Sequence, residues 1–77
     1  MSFMFEVYYR GPKDNERERD IVAFVAQFGG RMTFQELVDS PNNAVCLTFE
    51  FGEIEFADRA AKALRLRDEH VEGPYDY

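Results

Sequence analysis

Cysteine, histidine, basic side chains and long apolar runs are all scarce in this chain. One cysteine, Cys46, and one histidine, His70, stand among 77 residues. A lone thiol closes no internal disulfide, and one Cys with one His offers no zinc-ligand spacing, so neither a metal nor any other cofactor is assigned. The longest uninterrupted apolar stretch, Ile21 to Ala26, falls far short of the roughly 20 residues that span a bilayer. Met1-Ser2-Phe3-Met4-Phe5-Glu6 lacks the basic flank and apolar run of a secretion signal. No membrane partner is expected, and the expected setting is the cytoplasm. Nine Lys and Arg face fifteen Asp and Glu, for a net charge of −6. That excess repels a phosphate backbone at long range, so nucleic acid is not an expected partner.

What the chain does have is aromatic mass. Eight Phe and four Tyr supply large areas to bury, enough for a single domain over residues 1–77, near the lower size limit for folding without staples. Residues 3–10 read as a first strand, with Phe3, Phe5, Val7 and Tyr9 on one face and Met4, Glu6, Tyr8 and Arg10 on the other. Gly11-Pro12 ends it. Asn15 as N-cap with Glu18 three positions on reads as a capping box. Ile21, Phe24, Val25 and Phe28 then follow a helical stripe, stopped by Gly29-Gly30.

A second strand, 31–38, alternates imperfectly. Asp39-Ser40-Pro41-Asn42-Asn43 is turn chemistry. The third strand, 44–51, alternates cleanly, with Val45, Leu47, Phe49 and Phe51 on one face. A second helix is expected over about 53–69, burying Phe56, Ala57, Ala60, Ala61 and Leu64. A last strand is expected over 71–77, where Pro74 confines it to a sheet edge. The order βαββαβ predicts an α+β, ferredoxin-like fold: a four-stranded antiparallel sheet in the order 4-1-3-2 with two helices on one face. The expected core is Phe5, Val7, Ile21, Phe24, Phe28, Val45, Leu47, Phe49, Phe56, Ala60 and Leu64.

Asn42 to Leu64 resembles the third strand and second helix of an RNA-recognition motif, and Ile21 to Gly30 resembles the end of its first helix. The resemblance implies the fold. The family's RNP1 pattern, laid on residues 42–49, keeps its apolar register, but Ala44 and Cys46 stand where the two stacking aromatics belong and Asn42 where a base belongs. Stacking on such rings is worth about 1–3 kcal/mol per base; an RNA-binding reading is therefore disfavoured.

Simple alternation places Met4, Tyr8, Thr33, Leu37, Cys46 and Thr48 on the sheet face away from the helices, interrupted by Glu6, Gln35 and Glu50. Such residues suit an ordinary solvated face as well as a partner surface. The candidate partner surface is Met4, Tyr8, Leu37 and Cys46, with Tyr75 and Tyr77 at the sheet edge. No catalytic residues are assigned, because no nucleophile, base and orienting group fall together. His70 reads as a helix-end cation, and the acidic pairs Glu53/Glu55, Asp68/Glu69 and Glu72/Asp76 read as solvated turns. The expected function is a non-catalytic regulatory or interaction module, with a protein partner or a second copy as its occupant. The alternative is an ACT-like domain sensing a small-molecule ligand, for which Gly11 in the first loop speaks.

Overall fold

The computed structural model describes residues 2–38 and 44–76. The turn expected at 39–43, the Asn42 position of the RNP1 comparison, and Tyr77 lie outside them. The elements run β1 (Phe3–Arg10), α1 (Asn15–Ala26), β2 (Arg31–Val38), β3 (Ala44–Phe51), α2 (Ile54–Leu66) and β4 (His70–Asp76). The four strands form one antiparallel sheet in the order β2-β3-β1-β4, the expected order counted from the other edge. The architecture is the ferredoxin-like α+β fold.

The two cleanly alternating strands sit in the middle, as burial on one face requires. Phe5, Val7 and Tyr9 from β1 and Val45, Leu47, Phe49 and Phe51 from β3 point toward the helices. Ile21 and Val25 from α1 meet them, together with Ala57, Ala60, Ala61 and Leu64 from α2 and Val71 from β4. The alanines let α2 lie close to the sheet. Phe5 stacks at a tilt between Phe49 and Phe51, with ring centroids 5.7 and 5.2 Å away.

Three expectations about the core need correction. Phe56 is 43% exposed, because α2 begins at Ile54 and Phe56 falls in its first turn, outside the Ala57-Ala60-Ala61-Leu64 stripe. Phe24 and Phe28 are only partly buried; they pack on each other at 5.4 Å, with the Arg67 guanidinium 4.5 Å above the Phe24 ring. Tyr9 and Val71, absent from the expected core, belong to it.

Both helices end in the same hydrogen-bonded motif. At α1, Gly30 N–H donates to Val25 O at 3.2 Å and Gly29 N–H to Ala26 O at 3.0 Å. Gly29 takes φ +84, a left-handed conformation that costs glycine little. At α2 the matching bonds run from Glu69 to Leu64 and from Asp68 to Arg65, both 3.1 Å. Asp68 here takes the left-handed φ of 65, so the helix stops at Leu66 and not near Glu69. The N-cap of α1 also shifts by one residue. Asp14, extended at φ −124, accepts the Arg17 N–H at 3.0 Å, which frees Glu18 for a different role.

That role is a buried hub. Glu18 is 6% exposed and accepts hydrogen bonds from the Tyr9 hydroxyl, from Lys13 Nζ at 2.6 Å and from Gln35 Nε2 at 2.5 Å. The Tyr9 oxygen in turn accepts the Asp14 N–H at 2.9 Å. One carboxylate thus joins β1, the β1–α1 loop, α1 and β2. Burial alone would raise its pKa, but the Lys13 ammonium and the Tyr9 and Gln35 donors outweigh that and lower it. The Tyr9 phenol is pushed up to about 12, chiefly by burial.

Candidate functional site

The sheet face away from the helices is where the sequence put its candidates, and cross-strand register decides who stands on it. Tyr8 lies between Cys46 on β3 and His70 on β4, and Glu6 between Thr48 and Glu72; Met4 faces Glu50 and Tyr75. Partners opposite each other in a pleated sheet share a face. Met4, Tyr8, Cys46 and Tyr75 therefore stand together on this open face.

Leu37 does not. The register of β2 against β3 shifts between Met32, opposite Phe49, and Phe34, opposite Thr48, leaving Thr33 as the extra residue of a bulge. Beyond the bulge every side chain changes sides. Gln35 and Leu37 oppose the helix-facing Leu47 and Val45, while Phe34 and Glu36 oppose the open-face Thr48 and Cys46. The hydrogen bond from Gln35 to Glu18 on α1 agrees with that assignment. Phe34, 59% exposed, is the aromatic that β2 contributes to the open face, whereas simple alternation, with Thr33, Gln35 and Leu37 on that face, puts it on the helix side.

At the centre the face is tight. Cys46 and Thr48 are 5% and 7% exposed although no helix covers them, because β3 has neighbours on both sides. Cys46 Sγ donates to Glu6 Oε2 at 3.6 Å, and burial holds its thiol above the usual pKa. Burial also raises the Tyr8 phenol, with Cys46 and Glu6 adding to the effect. Both groups stay neutral and protonated at ordinary pH. The Tyr8 and His70 rings meet edge to face at 5.9 Å.

His70 itself is the first residue of β4 and not a helix-end cation. Cys46 and His70 stand two strands apart, roughly 10 Å at the usual strand spacing, with Tyr8 between them. No proton passes directly across that gap. Arg65 fills the expected helix-end role, donating to Val71 O and Gly73 O at 3.0 and 2.9 Å and so tying α2 to β4.

The face is acidic. Glu36 and Glu72 on the edge strands and Glu50 toward the end of β3 lie near its borders, Glu6 lies at its centre, and Arg10 and Arg31 stand against them. Glu50 pairs with Arg31 at 3.5 Å and Glu72 with His70 at 3.6 Å. Among the described residues no group of three or more His, Cys, Asp or Glu is placed to hold a metal ion, and no helix is long and apolar enough to cross a membrane.

A second concavity, of about 660 Å³, lies over the β1–α1 loop. It is lined by Tyr9, Arg10, Pro12, Lys13, Asp14, Asn15, Glu16, Arg17 and Arg19. Two of its four bases are engaged within the chain: Lys13 is held by Glu18, and Arg17 pairs with Glu69 at 2.9 Å while lying 4.8 Å over the Tyr9 ring. No family model matches the chain, and neither does any curated protein or solved structure.

Proposed function

We propose that the domain is a non-catalytic protein-interaction module that binds its partner on the open sheet face, with Tyr8 as the central anchor. The observation that carries this reading is the composition of that face. Met4, Tyr8, Phe34 and Tyr75 offer amphipathic and apolar groups on a sheet surface uncovered by helices, with Glu36, Glu50 and Glu72 toward its borders and Glu6 among them. A wetted antiparallel face ordinarily alternates to polar residues, and aromatic anchors with a polar rim are the usual make-up of an interface. The acidic face selects a partner segment that is basic and carries apolar side chains. The setting we assign is cytoplasmic, in keeping with one unpaired cysteine.

The RNA reading is disfavoured on the same face: Ala44 and Cys46 present no ring at the RNP1 positions, and Glu6, Glu36, Glu50 and Glu72 set negative charge beside the rings of Tyr8, Phe34 and Tyr75, where a phosphate backbone would have to lie. An ACT-like sensing role would use the cleft over the β1–α1 loop, and the internal pairing of Lys13 and Arg17 counts against an anionic ligand there.

A photo-crosslinking side chain placed at position 8, with a control at the exposed Ala23 on α1, tests the proposal in cells. A defined protein adduct from position 8 and none from position 23 is the expected result. Equal adducts from both positions, or a nucleic-acid adduct from position 8, would refute it.

A further inference from the structure

The two edges of the sheet are not equally protected. An edge strand exposes unpaired backbone N–H and C=O groups, and proteins blunt such edges with proline, charge or bulges. β4 is blunted along its length: Pro74 has no N–H to offer, Glu72 and Asp76 bring charge, and the register against β1 shifts between Met4 and Glu6. β2 is not. It contains no proline, every residue from Arg31 to Leu37 is exposed, and Met32, Phe34 and Leu37 are 37%, 59% and 53% exposed. From Phe34 to Val38 it pairs regularly with β3, leaving its other side as a straight, partly apolar template.

The charge pattern of β2 says which strand fits it. In a chain of net charge −6, β2 carries one base, Arg31, and one acid, Glu36, so two copies of β2 meet without net repulsion. The Thr33 bulge puts these two residues on the same face despite their odd spacing, since Arg31 opposes Glu50 and Glu36 opposes Cys46.

We infer that β2 pairs antiparallel with β2 of a second copy about a two-fold axis at Phe34, fusing the two sheets into one of eight strands. With Phe34 opposite Phe34, Gln35 of one copy faces Met32 of the other, Thr33 is the bulged extra residue, and Glu36 faces Arg31. Each of these pairs has matching faces. Two Arg31–Glu36 pairs then flank two Phe34 rings on the open side, and the helices of both copies lie on the other side. The inference goes beyond the proposed partner surface, because it uses the edge; it shares Phe34 with that surface and leaves the Tyr8 region free.

Charge reversal tests it by sedimentation velocity across the micromolar to millimolar range. The native chain is expected to dimerise with concentration. Arg31→Glu alone and Glu36→Arg alone are each expected to weaken self-association by roughly tenfold, since every cross-pair becomes a like-charge pair. An equimolar mixture of the two variants is expected to regain native affinity, because each reversed charge then meets its opposite. Both substitutions sit at exposed positions, and restored dimerisation on mixing itself shows that both variants are folded. Tyr8→Ser is expected to leave the dimer intact. A native chain that stays monomeric, a dimer indifferent to either reversal, a mixture that fails to recover, or a dimer lost with Tyr8→Ser would each overturn the inference.

Discussion

Replacing Glu18 by Ala removes the acceptor shared by Tyr9, Lys13 and Gln35, and the cost can be built up group by group. Lys13, with its side chain 36% exposed, and the exposed Gln35 both turn to water at little cost. Tyr9 is 5% exposed; its hydroxyl keeps the Asp14 N–H as a donor but has nowhere to send its own proton. A stranded buried donor costs about 1–3 kcal/mol. Loss of a negative charge in the first turn of α1 adds about 0.3–1 kcal/mol. The two terms sum to about 1.3–4 kcal/mol, with a middle value of about 2.5 kcal/mol, out of roughly 4–11 kcal/mol for a domain of this length.

Thermal unfolding should register this as a midpoint lowered by roughly 10–20 °C, and urea titration should give the free energy directly. The effect has a pH signature. The Glu18 carboxyl titrates below its ordinary 4.5 in the folded chain, so on acidification the unfolded chain takes the proton first. The contribution is complete above about pH 4.5 and is lost as pH falls through the lowered folded value. The stability gap between native and Glu18→Ala should therefore narrow in acid. A gap under about 0.5 kcal/mol at neutral pH, or one that stays constant through the acid range, would refute the account of Glu18 as a charged hub.

Other substitutions probe the rest of the frame. Phe49→Ala empties a fully buried site on β3 and should cost about 3–5 kcal/mol in denaturant unfolding; an unchanged midpoint would contradict the core assignment. Gly30→Ala would set its methyl 2.4 Å from the Phe51 ring and 2.6 Å from Val25 Cγ1, so a loss of about 1–3 kcal/mol is expected from the same titration. Asp68→Gly relieves a left-handed residue at the end of α2 and should raise stability by about 0.5–1 kcal/mol; a lower melting temperature would show that the Asp68 side chain contributes more than its backbone conformation costs.

The fold was legible because its governing signals are local. The alternation of β1 and β3, the stop at Gly29-Gly30 and Pro74 at the edge each act within a few residues, and together they imply the strand order. The open face was only partly legible. Nothing in Arg31-Met32-Thr33-Phe34 marks a bulge, since no Gly or Pro stands there, yet one extra residue exchanges Leu37 for Phe34 on that face. Tyr75 reached the same face through its pairing with Met4, a register that depends on a second irregularity, in β4. Glu18 escaped notice for a different reason. As a helix-start acid it satisfies a local rule, while its actual partners Tyr9 and Gln35 are 9 and 17 residues away, and burial of a charge shows only once such distant groups are assembled. Phe56 is the reverse case: its spacing of four residues from Ala60 suggests the buried stripe, yet it stands exposed in the first turn of α2, beyond the buried run that begins at Ala57.

The position of Cys46 gives the molecule a reporter of its own. It is the only thiol in the chain, it lies on an inner strand, and it is both nearly inaccessible and held in its unreactive protonated form. An alkylating reagent needs a solvent-exposed thiolate, so it will mark only those molecules in which the middle of the sheet has opened. The rate of marking then measures how often that happens. A ligand seated over Tyr8 would slow it, and occupancy of the face could be followed in the native sequence without attaching a dye or changing a residue.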